Sequence, residues 1–148
     1  MTHLKINGVL ILSGCLVVNE NKELLLLYRK DHNHYETPGG KVKPEECSNP
    51  ENPTIEDLAK AAERETYEEL GYGIKIEKLR YFGNVEFIIP DGRRAVANKF
   101  ITKIKSGKPI INEPERFSKL EYLPISSLEK YPISPDLKLL LKELKKLI

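Results

Sequence analysis

The sequence predicts an α+β domain, with strands paired in hairpins and two amphipathic helices set far apart in the chain. Three observations carry this. An apolar run over residues 9–18 stops at Asn19-Glu20-Asn21-Lys22 and resumes over residues 23–29. A helical period begins at Thr54 and ends at Gly71. A leucine-striped helical period follows Ser134-Pro135-Asp136 and closes the chain.

Each element has its own signal. Residues 9–18 and 23–29 read as a strand pair joined by the Asn-rich turn, so the chain is expected to open with a hairpin. The unbroken Leu24-Leu25-Leu26-Leu27 run asks for burial on both faces. Residues 30–35 are polar and loop-like, and Pro38-Gly39-Gly40 forces a tight backbone almost free of side chains. Residues 47–53 are loop by composition. Thr54 with Asp57 resembles a capping box, with Asp in the Glu/Gln place. Ile55, Ala59, Ala62, Thr66 and Leu70 recur at helical spacing and are expected to face the core. One or two strands follow over residues 73–89. Pro90-Asp91-Gly92 is a hairpin turn, and residues 93–105 return from it. An acidic loop spans 110–117, and a short strand spans 120–123. The last helix presents Leu137, Leu140, Leu141, Leu144 and Ile148 as one apolar stripe.

A length of 148 residues suits one domain over 1–148. With 40% hydrophobic residues the chain is too apolar to stay disordered. A formal net charge of +2 is nearly balanced, which argues against a nucleic-acid binder held by phosphate contacts. Cys15 and Cys47 make no disulfide framework and suit a reducing compartment. The longest apolar stretch, residues 8–18, is shorter than the roughly 20 residues of a membrane span. The expectation is a soluble cytoplasmic protein with no membrane partner.

The chemistry concentrates in Arg64-Glu65-Thr66-Tyr67-Glu68-Glu69-Leu70-Gly71. Glu65, Glu68 and Glu69 stand at i, i+3 and i+4, within roughly 100° of one helix face. Each close pair of like charges costs about 0.2–0.5 kcal/mol in an isolated helix. Arg64 can neutralise one of the three. A divalent cation is the natural partner for the rest, and carboxylate oxygens suit Mg²⁺ or Mn²⁺. Upstream, Gly39 and Gly40 let backbone approach an ion or phosphate closely, and Lys41 adds a positive charge.

These residues resemble the Nudix box. Its pattern is Gly, five residues, Glu, seven residues, then Arg-Glu-apolar-x-Glu-Glu-x-Gly-apolar. Gly40 and Glu46 match its first part, and Arg64, Glu65, Glu68, Glu69 and Gly71 its last. Seventeen residues separate Glu46 from Arg64 where the family has seven. Glu56 restores the seven-residue spacing but lies too far from Gly40. A ten-residue insertion after Glu46 is the simplest account, and it leaves Glu46 and Glu56 as rivals for the box glutamate. Residues 47–54 read equally as a lid, a dimer contact or an inert insertion.

The resemblance implies an α/β/α sandwich with a mixed sheet between helices. It also implies Mg²⁺-dependent hydrolysis of a nucleoside diphosphate linked to another group. Glu65, Glu68, Glu69 and a backbone carbonyl at Gly39 or Gly40 would hold metal, Arg64 would orient the glutamates, and water would attack phosphorus. Gly39, Gly40, Lys41 and Arg29 are the candidate substrate contacts. Glu113-Pro114-Glu115-Arg116, ahead of Leu120-Glu121-Tyr122-Leu123-Pro124, is similar to MutT-like nucleoside triphosphate pyrophosphatases. In that comparison Glu115, with Glu113 beside it, is a candidate base or extra ligand. The preferred expectation is a (d)NTP converted to NMP and pyrophosphate. Its rivals are ADP-ribose or another NDP-sugar as substrate, and a nucleotide-binding regulatory module without turnover. A homodimer is left open. His32 and His34 have no Cys or His partner at zinc-ligand spacing, which argues against zinc, and they read as loop residues.

Overall fold

The computed structural model describes residues 3–148. The strands are β1 (Lys5–Ile6), β2 (Val9–Val17), β3 (Glu23–Arg29), β4 (His34–Glu36), β5 (Gly39–Lys41), β6 (Ile74–Ile76), β7 (Arg80–Ile88), β8 (Arg94–Thr102), β9 (Ile104–Gly107) and β10 (Phe117–Pro124). The helices are α1 (Ile55–Leu70) and α2 (Pro135–Lys145). Short 3-10 helices cover Pro44–Glu46 and Ile125–Lys130. No helix among the described residues is long and apolar enough to cross a membrane.

The central sheet runs β1-β2-β8-β7, with β5 also paired to β2. It is mixed: β2 and β8 are parallel, in register from Leu10↔Ala95 to Val17↔Thr102, and its other pairs are antiparallel. A second sheet runs β10-β3-β4, and β6 pairs β9. The expected opening hairpin does not form. β2 joins the first sheet and β3 the second, and a single Val18↔Leu24 bridge links them. Leu24, Leu25, Leu26 and Leu27 are all buried, and each fully buried leucine contributes about 1.5–3 kcal/mol. The edges of β3 pair with β10 and β4, and packed layers cover both its faces.

The strand period divides the core accordingly. Ile11, Cys15, Leu25, Leu27 and Phe100 pack with Leu58, Ala61, Ala62 and Leu70 of α1. Leu16, Leu24 and Leu26 pack instead with Leu137, Leu140 and Leu144 of α2. Helices therefore cover opposite sides of the sheets, as the resemblance implied.

Local signals behave mostly as the sequence predicts. Thr54 Oγ1 accepts from the Asp57 amide and Asp57 Oδ2 from the Thr54 amide, both at 3.0 Å. Gly71 ends α1 at φ +90°. The buried face of α1 is displaced from the expected one: Ile55 is exposed, and Leu58, Ala61, Ala62, Thr66, Glu69 and Leu70 are buried. Ile55 lies on the first turn of the helix. In the turn after β2 the left-handed residue is Lys22, while Asn19 Oδ1 accepts from the amides of Asn21 and Glu23. In the last helix Leu137, Leu140 and Leu144 are buried, but Ile148 lies past its end and is half exposed.

Candidate active site

β5 and α1 bring the acidic residues to one place. Gly39 and Gly40 pair with Gly14 and Ser13 of β2, and at Gly14 and Gly39 the strands meet so closely that only glycine fits. A Cβ on Gly14 would strike the Pro38 carbonyl oxygen, and one on Gly39 would come within 2.9 Å of the Ser13 carbonyl oxygen. A Cβ on Gly40 would lie 2.5 Å from Glu65 Oε1, so its absence is what lets α1 lay that carboxylate against the β5 backbone.

Arg64 is the hub. Its Nε and Nη2 donate to both oxygens of Glu46, at 2.6 and 2.9 Å. Its Nη1 donates to Glu65 at 2.9 Å and to Glu68 at 3.0 Å, and Nη2 also reaches the Lys41 carbonyl at 3.2 Å. The forked geometry of guanidinium suits this bidentate grip. The contest between Glu46 and Glu56 is thereby decided for Glu46, while Glu56 is exposed on the first turn of α1. The 3-10 helix turns Glu46 back towards Arg64, and the extra residues bulge out after it, with 48–52 exposed.

The carboxylates differ in environment. Burial pushes Glu46 up, but the Arg64 fork and the Lys43 amide outweigh it and hold Glu46 below the usual range. Burial raises Glu65 despite Arg64. Glu69 is 2% exposed, and its side chain accepts one long bond, from the Gly39 amide at 3.3 Å. Burial, then the Glu65 charge, raises it well above an ordinary carboxyl. Burial also pushes the Cys15 thiol up to about 12, which makes it a core residue and no nucleophile.

The acidic loop is sewn onto the end of α1. The Ile110 and Asn112 amides donate to the Leu70 and Glu69 carbonyls, and Lys30 Nζ donates to the Pro114 carbonyl at 2.8 Å. This turns Glu113 and Arg116 into the cleft, joined at 2.9 Å. Glu115 is exposed and does not line the cleft.

A cleft of about 470 Å³ runs from Glu65, Glu68 and Glu113 across the sheet to the start of α2, and the buried Glu69 is not part of its lining. Arg29, Gly39, Gly40, Lys41, Glu65 and Glu68 border it, together with Arg64. Arg29 is shared between Asp31 at 3.0 Å and Glu36 at 3.6 Å. Sequence reasoning missed the far wall. There Lys99 of β8 pairs with Asp136 at 2.8 Å and donates to Thr37 Oγ1 at 2.8 Å, all three buried. Lys99 outweighs burial and holds the Asp136 carboxyl low. A lysine inside a strand otherwise apolar on that face was the available signal. His32 and His34 also border the cleft, and their partner is Glu36, an acid outside the Cys/His pattern that zinc spacing tests.

The sequence profile of the NUDIX domain family matches residues 12–144. Among curated proteins none matches the chain. Among solved structures, a MutT NUDIX hydrolase from Burkholderia pseudomallei is similar at 25% identity and TM-score 0.72, covering 93% of this chain and 97% of that one. A MutT protein from Methanosarcina mazei is similar at 18% identity and TM-score 0.70, covering 94% of each. A C. elegans Ap4A hydrolase shares 18% identity at TM-score 0.67, covering 94% and 97%. The profile spans nearly the whole sequence, and the glycine, glutamate and arginine spacing closes into one ionic network at the sheet edge, so the chain belongs to the NUDIX domain family, as one of its hydrolases.

Proposed function

We propose that this Nudix hydrolase converts a nucleoside triphosphate to the monophosphate and pyrophosphate with Mg²⁺ or Mn²⁺. The observation that carries the reading is the layout of the cleft. A cluster of carboxylates lies at one end, Arg29, Lys41, Lys43, Arg93 and Arg116 border it, and its volume is that of a small-molecule site. Phosphates need the cations, and divalent ions need the carboxylates.

The residues fit such ions. Glu69 is a buried carboxylate with one weak donor, and the missing side chain at Gly40 lets the Glu65 carboxylate lie against the β5 backbone. The donor set of Glu65, Glu68, Glu69 and the Gly40 carbonyl is all oxygen, as Mg²⁺ prefers. When bound, the ions neutralise charge on phosphate oxygens and lower the pKa of water. Arg64 keeps Glu65 and Glu68 aimed, and Glu46 keeps Arg64 in place. Lys41 and Arg29 receive phosphate oxygens. Glu113 offers the acidic loop's carboxylate to the cleft as proton acceptor or further ion ligand, the role that the sequence offered to Glu115 or Glu113.

The test is a product screen with Mg²⁺ over NTPs, dNTPs, an oxidised dGTP, ADP-ribose and Ap4A, reading phosphate and pyrophosphate separately. Pyrophosphate from a triphosphate is expected, abolished by EDTA and by Glu68→Gln with little change in melting temperature. Turnover confined to ADP-ribose or Ap4A would overturn the triphosphate reading. Nucleotide binding without any product would make the chain a regulatory module.

A further inference from the structure

We propose that His32, His34 and Glu36 form a second metal site on the cleft rim, one for a transition-metal ion of the Zn²⁺ class. Their ligand atoms all lie within 4.8 Å of one another. His34 Nε2 is 2.9 Å from Glu36 Oε2, and His32 Nδ1 is 3.6 Å from the same oxygen. Two donors on one tetrahedral Zn²⁺, at about 2.0–2.1 Å from it, stand about 3.3 Å apart. The observed separations straddle that value, so small side-chain rotations would seat an ion.

The second observation is His32 Nδ1 itself. It is shut off from solvent and has no hydrogen-bond partner, a costly state for a ring nitrogen. At 3.6 Å its distance to Glu36 is too long for a hydrogen bond. An ion between the two would give that nitrogen a partner.

Local backbone builds the cluster. His34 and Glu36 share one face of β4 by the strand period, and Asn33, left-handed at φ 53°, folds His32 back over them. The surrounding charges allow a cation. Glu36 turns Oε1 towards Arg29 and Oε2 towards both histidines, while Asp31 bonds Arg29 and lies 3.8 Å from His32 Nε2. The guanidinium charge is thus met by two carboxylates.

Imidazole nitrogen separates this site chemically from the all-oxygen cluster around Arg64. Two histidines and one carboxylate favour Zn²⁺ or Co²⁺ over Mg²⁺ and leave a fourth position for water or a phosphate oxygen. The inference does not rest on the triphosphate reading.

The experiment titrates Co²⁺ into the full chain and follows visible absorbance, which is intense for four-coordinate nitrogen-bearing sites and weak for six-coordinate oxygen sites. One equivalent should give the intense band, and Zn²⁺ should displace it. The band should persist in Glu68→Gln. In His34→Gln, Co²⁺ affinity should fall by at least about tenfold, with the metal-free melting temperature checked beside it. Ring-nitrogen NMR of the unmodified chain gives an independent reading: Zn²⁺ should shift His32 and His34 and leave His3 alone. Absence of the band, its loss in Glu68→Gln, its survival in His34→Gln, or a Zn²⁺ response shared by all three histidines or by none would each overturn the site.

Discussion

Glu69 carries its carboxyl where burial disfavours ionisation. Its folded-state pKa is raised by burial and by Glu65, above the roughly 4.3 of an unfolded glutamate. The sign follows from linkage. As pH climbs past the unfolded value, the unfolded chain ionises freely while the folded one resists, so stability falls until the raised pKa is passed. Metal-free protein should therefore lose melting temperature across that window. Glu69→Gln should remove this part of the slope, raise the melting temperature in chelator by about 2–4 °C for each kcal/mol recovered, and abolish hydrolysis. Glu46 and Asp136, both depressed, contribute in the opposite sense and lower in pH, where they are common to both proteins. A Gln variant that melts lower than wild type in chelator near neutrality would show that Glu69 is stabilised as an ion without metal.

The β2–β5 contact is the element on which the site's position depends. Gly14 and Gly39 meet backbone to backbone, and neither neighbour is a flexible side-chain end that could swing aside. Gly14→Ala should cost about 1–3 kcal/mol, as overpacking does, and displace Gly39 and Gly40 from the carboxylates. Gly83→Ala in β7 is the control, since a Cβ there meets nothing within 4 Å. Urea denaturation and hydrolysis of both variants check this. Equal stability for the two would mean that β5 yields easily and does not fix the site. The Thr54–Asp57 cap shows the contrasting case of an element boundary set within four residues.

At the scale of the whole molecule, divalent cation should act as a folding ligand. Binding to the native state alone adds about 2.7 kcal/mol at a hundredfold excess over Kd. The gain should grow with pH, because protons compete for Glu65 and Glu69, both raised in the metal-free protein. Thermal melts with and without Mg²⁺, on either side of neutrality, measure it. A Mg²⁺ effect that shrinks as pH rises, or that persists in Glu68→Gln, would place the ion elsewhere.

The sequence by itself determined what short-range physics encodes. The α1 cap, its glycine stop and the Arg64–Glu69 spacing each involve residues within a few turns of one another, so period and type suffice to read them. Most strand positions were legible for the same reason, and so was the β7–β8 hairpin about Pro90-Asp91-Gly92, whose partners are close in the chain, but partners far apart in the chain were not. β2 looks like half of a hairpin, yet β3 pairs along its edges with β10 and β4 in a different sheet. Glu46 and Glu56 are equivalent by spacing, and the fold chooses Glu46 because the inserted residues loop outward after it. Lys99, Asp136 and Thr37 lie far apart in the chain, and although a lysine in an apolar strand face was a local signal, nothing local to it names its partners. Tertiary structure decided these matters because they depend on which surfaces exclude water together, and that is a property of the packed layers.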